Sequence, residues 1–83
     1  MHPAGSKVVL ISFNGARSAP ENCRPAENYW LLIGTRGTIA SPVNANGRVL
    51  VTFDTPVSEV GLACHNPTPN SLYILETDLA HFP

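Results

Sequence analysis

At 83 residues, with five basic and six acidic side chains, the chain has the size of one small domain and a formal net charge of -1. Its charged share is 13% against 43% hydrophobic, about half the roughly 25% usual for soluble domains. Charges this few and this scattered exclude the basic patch that drives nucleic-acid binding. They also give little repulsion between copies, which points to a homo-oligomer as the chain's main partner.

The sequence reads as a single domain over residues 1–83, with residues 1–6 expected to be flexible. No run approaches the roughly 18 apolar residues of a membrane span, and MHPAGSK lacks the apolar stretch of a signal peptide. The expectation is a cytoplasmic protein with no membrane partner. Cys23 and Cys64 lie far apart and form no Cys-x-x-Cys pair, so neither a metal site nor a disulfide is expected in a reducing compartment. His2, His65 and His81 have no ligand spacing between any pair. No cofactor is implied.

In chain order, Lys7 to Phe13 (KVVLISF) is a β-branched and apolar run that reads as a first strand. Asn14 to Asn28 has prolines, a glycine and small polar residues without any period, and reads as a long loop of the kind that carries binding surfaces. Tyr29 to Ile33 (YWLLI) reads as a second strand, on which Tyr29 and Trp30 face opposite ways. Gly34 and Gly37 then let the chain turn. The Gly34-Thr-Arg-Gly37 stretch lacks the lysine and following helix of a phosphate loop, so these glycines are backbone devices.

The clearest signal lies between Thr38 and Asp54. Val49, Val51 and Phe53 alternate with Arg48, Leu50, Thr52 and Asp54, the period of two of a strand with one buried face. Thr38 to Ser41 is its shorter partner, with Ile39 facing in and Pro42 limiting its length. Asn46-Gly47 between them predicts a hairpin with positive φ at both turn residues. Further on, Thr55 to Val60 reads as a connector, Gly61 to His65 (GLACH) as a short strand, and Asn66 to Asn70 (NPTPN) as a turn. Ser71 to Leu75 (SLYIL) alternates again. Asp78 to Phe82 closes the chain with one helical turn that Asp78 would cap.

Five or six short strands, a long loop after the first and a terminal helical turn define an all-β chain. At this point it resembles the SH3-like small β-barrels in arrangement: the long loop, the central hairpin TIASPVNANGRVLVTFD, and a last strand beside a single turn. The resemblance implies a barrel, but small barrels host many unrelated tasks.

The candidate site residues are aromatic and leucine side chains on a surface poor in charge. Leu50, Tyr73 and Leu75 are expected to share the outer side of the hairpin, and Tyr29 and Trp30 to line a groove beside the long loop. The other reading is that the long loop simply packs over these residues. Cys64 and His65 are no catalytic dyad, because neighbours on a strand point to opposite faces. The carboxylates Asp54, Glu59, Glu76 and Asp78 are spread out, and no catalytic residue is assigned. A self-associating binding module is therefore expected ahead of an enzyme, with a peptide or small molecule as the second partner. The enzyme alternative is a site formed within an oligomer, since size and barrel class are similar to those of plasmid-type dihydrofolate reductase. That family's Val-Gln-Ile-Tyr motif has only Leu72-Tyr73-Ile74-Leu75 as its counterpart here.

Overall fold

The alternation in the hairpin builds the middle of the molecule. The structure is a computed structural model that describes residues 3–64 and 66–82. Among these, five strands form one antiparallel sheet: β1 (Lys7–Leu10), β2 (Arg36–Ser41), β3 (Arg48–Phe53), β4 (Ser71–Leu75) and β5 (Leu79–His81). The order across the sheet is β4-β3-β2-β1-β5, so β4 and β5 lie at its two ends and do not pair with each other. Val49, Val51 and Phe53 are buried against Val8, Leu10, Ile39 and Ile74. Arg48, Leu50 and Thr52 alternate onto the opposite, outer face.

The β2–β3 hairpin forms, with a different turn from the expected one. Only Gly47 has positive φ, at 75°. Its N–H donates to the Asn44 carbonyl at 3.1 Å, and the Asn44 Oδ1 accepts from the N–H groups of Asn46 at 2.9 Å and Arg48 at 3.0 Å. Asn44 thus supplies the turn by side-chain bonding, and Gly47 alone needs the left-handed conformation. β2 ends at Ser41, immediately before Pro42, after a register shift between Ile39 and Ser41.

Three expectations are corrected. Tyr29–Leu32 is a 3₁₀ turn rather than a strand. A 3₁₀ turn repeats at three residues, so Tyr29 and Leu32 share the inward side and Leu31 is exposed. Residues 61–64 of the GLACH segment form no strand. They follow a 3₁₀ turn at Val57–Val60 that closes on Gly61 with φ 78°, and His65, like His2, lies outside the described residues. β1 stops at Leu10, and the Ile11 N–H adds one last bond in the β1–β5 register, to the Asp78 carbonyl at 2.9 Å.

Asp78 departs furthest from its expected role. It is the last residue of a 3₁₀ turn, Glu76–Asp78, that precedes β5, and its side chain makes no cap to that turn. The carboxylate points into the protein, 1% exposed. It accepts the Ser12 hydroxyl at 2.6 Å and the N–H groups of Asn14 at 2.8 Å and Gly15 at 3.0 Å. One buried carboxylate therefore fixes the start of the long loop, where Asn14 and Gly15 both have positive φ. Gly5 and Ser6 are also tied in: Gly5 donates to the Ile39 carbonyl at 2.8 Å, and Ser6 accepts from Ile39 at 2.9 Å.

Candidate functional site

Tyr29 and Trp30 do not face opposite ways. Both are half-buried and packed on the core, with ring centroids 5.4 Å and 4.9 Å from that of Phe13. The Tyr29 hydroxyl donates to the Ala63 carbonyl at 2.7 Å, and the Ala63 N–H donates to the Ala26 carbonyl at 2.9 Å. These contacts clamp the long loop to the segment after Gly61. Burial, then the charges of Glu27 and Cys64, push the Tyr29 phenol above its ordinary value. A folded-state pKa above the unfolded one gives stability that is full below about pH 10 and is lost as pH rises through the folded value. Alkaline unfolding followed by circular dichroism is thus expected to steepen above about pH 10. Tyr29→Phe should flatten that limb while lowering stability at neutral pH by roughly 1 kcal/mol for the lost hydrogen bond.

Cys64 borders a hollow of about 430 Å³ with Pro56, Leu62, Pro67 and Asn70. Hydrogen bonding from the backbone at Ser71, then at Asn66, holds its thiol below the ordinary value, while burial pushes the other way. The sulfur also faces the carbonyls of Ser71 at 3.3 Å and Thr68 at 3.5 Å. The hydrogen-bond partners of the sulfur are thus backbone groups, and among the described residues no side-chain base bonds to it. Cys23 and Cys64 are both free thiols.

The outer face of β3 and β4 brings three of the sequence-derived residues together. Leu50 is opposite Tyr73 and Arg48 is opposite Leu75. Tyr73 is 46% exposed, Leu75 is half-buried, and Leu50 retains only 7% of its surface without joining the main core cluster. Leu50 is therefore a floor, and Tyr73 with Leu75 forms the accessible part.

Pairing alternation also shows where the backbone of Tyr73 points. Phe53 donates to Asn70 at 3.0 Å and Glu76 to Gly47 at 3.2 Å, so Leu50 and Tyr73 fall at a non-hydrogen-bonded position. The carbonyl of Tyr73 is thus turned away from β3, toward the open edge of β4. Arg48 occupies it, donating from Nη1 at 3.1 Å while Nη2 donates to the Asn14 Oδ1 at 2.8 Å. A charged side chain laid on an edge strand blocks strand addition there. The sequence pattern located Arg48 on the outer face but carried no signal for this bridge, which depends on the position of Asn14 in the folded loop.

Among the described residues, no group of three or more His, Cys, Asp or Glu side chains could hold a metal ion, and no helix is long and apolar enough to cross a membrane. The fold and its outer surfaces define a small all-β protein with an open antiparallel sheet. No family model matches the chain, and no curated protein or solved structure matches it either.

Proposed function

We propose that the protein is a small SH3-like β-barrel that serves as an assembly module, associating with further copies of itself through the outer face of β3 and β4. The SH3-like reading draws support from the order of elements: a long segment between β1 and β2, the central β2–β3 hairpin, and a last strand preceded by a single turn at Glu76–Asp78. The assembly reading rests on one observation. Tyr73 stands 46% exposed beside Leu75 and above Leu50, on a chain whose charged share is only 13%.

An aromatic side chain projecting from a rigid strand, with an apolar floor beneath it, has the form of an interface anchor. Association is by side-chain packing between faces, since Arg48 covers the β4 edge and strand-to-strand addition there would have to displace it. Truncating an anchor of this kind weakens binding by about 2 kcal/mol, or roughly thirtyfold. Light scattering over a concentration series is therefore expected to give an oligomer for the native chain and a shift of the midpoint by about that factor for Tyr73→Ser. A monodisperse monomer at the highest concentration removes this reading.

A further inference from the structure

Toward the other end of the same sheet, the outer face of β1 and β2 carries a cluster that self-association does not use. Arg36 on β2 lays its guanidinium over the ring of Phe82, 4.2 Å from the centroid. Lys7 on β1 lies alongside and donates from Nζ to the Thr38 hydroxyl at 2.7 Å. Together with Asp54, just beyond β3, these residues line a hollow of about 220 Å³. A second hollow of about 390 Å³, bordered by Gly34, Thr35 and Thr55, shares Arg36 and Asp54 with the first. The groove is the first of these, bordered by Lys7 and Phe82.

The backbones beneath the four side chains are bonded in pairs. Asp54 donates to the Arg36 carbonyl at 2.9 Å, and Phe82 donates to the Lys7 carbonyl at 2.9 Å. The charged groups are thus carried on hydrogen-bonded strands rather than on a mobile loop, which is what a pre-formed site requires. The contact with Phe82 seats the guanidinium carbon over the ring and uses none of its N–H donors in a hydrogen bond to oxygen. Among the described residues no oxygen accepts from these donors, and no ion pair joins Arg36 or Lys7 to Asp54. Lys7 keeps two of its three ammonium donors after the bond to Thr38.

The geometry points to a binding site for a small-molecule carboxylate. The Arg36 fork matches the two oxygens of a carboxylate, Lys7 adds a second positive charge, and the groove's apolar wall comes from Phe82. Among the described residues, two cations against the single carboxylate of Asp54 leave one net positive charge in the groove. That balance suits a monoanion better than a dianion, and Asp54 accepts a hydrogen bond from a hydroxyl or ammonium group elsewhere on the ligand. The site rests on β1, β2 and the residues beside them, and the Tyr73 patch on β3 and β4, so its test reads different residues from the test of self-association.

The test is a titration of the full chain with sodium benzoate, followed by amide chemical shifts, with benzylamine and inorganic phosphate at pH 8 as comparison probes. Benzoate is expected to give saturable shifts at Lys7, Arg36, Asp54 and Phe82 with a dissociation constant on the order of 1–10 mM. Arg36→Gln should weaken binding about tenfold, and Asp54→Asn should strengthen it severalfold by removing the opposing charge. The second variant guards the test, because a gain in affinity cannot come from failure to fold. Absence of saturable shifts, equal binding by Arg36→Gln, or phosphate dianion binding tighter than benzoate would overturn the assignment.

Discussion

Asp78→Ala is expected to destabilise the protein by about 3–5 kcal/mol, read as a large fall in the midpoint of urea unfolding. The side chain is almost wholly buried, and its two oxygens serve the hydroxyl of Ser12 and the N–H groups of Asn14 and Gly15. Truncation leaves two backbone donors without their acceptor in a place water enters poorly, and each such orphan costs roughly 1–3 kcal/mol. For a chain of 83 residues the whole stability is roughly 4–12 kcal/mol. Much of the population should then be unfolded at moderate temperature. Ser12→Ala, which removes one donor and leaves the carboxylate its two N–H partners, should cost only about 1–2 kcal/mol. Equal losses for the two variants would contradict the role given to the carboxylate.

Gly37→Ala is the second large effect, at about 3 kcal/mol. Gly37 is buried in β2, opposite Phe53. A Cβ placed there would lie 2.7 Å from the Val51 Cγ1 and 2.8 Å from the Thr52 carbonyl oxygen. The first neighbour belongs to a fully buried core side chain and the second to the backbone of β3, so neither yields without moving the hairpin. Its φ is not the reason; the requirement is close approach of two strands. Gly34 makes the contrast, since its φ of 93° demands glycine while open space surrounds the position. Thermal unfolding of the two alanine variants should separate the causes, because only Gly37→Ala should also disturb the side-chain signals of Val51.

These two residues show what the sequence made legible and what it did not. Val49, Val51 and Phe53 alternate with Arg48, Leu50, Thr52 and Asp54, and their phase gave the buried face of β3 correctly because the period of a strand is a local property. The same holds for Leu72 and Ile74 in β4. Tyr29 to Ile33 misled because a short apolar run has no period of its own; its turn is set by Leu31 and Ile33 bonding back to Asn28 and Trp30. Asp78 read as a helix cap because its partners lie more than 60 residues away, where no spacing rule reaches. Arg36 and Phe82 likewise lie far apart in the chain, and the β1–β2 and β1–β5 pairings bring them together.

For the outer face, the phase of β3 and β4 placed Leu50, Tyr73 and Leu75 on one side, and the register puts Leu50 directly opposite Tyr73. The sequence could not rank them by exposure. Leu50 is largely covered within the chain while Tyr73 stands out, because the sheet surrounds an inner strand such as β3 with neighbours on both sides and leaves β4 with one.

The central claim is that this face joins copies of the chain. It is tested most directly by recording amide chemical shifts during dilution, which reports both association and its location. The expected result is concentration-dependent shifts at residues 48–50 and 72–75, with the signals of Tyr29 and Trp30 unmoved. A spectrum that stays constant over the whole range, or shifts confined to Tyr29 and Trp30, would contradict the account.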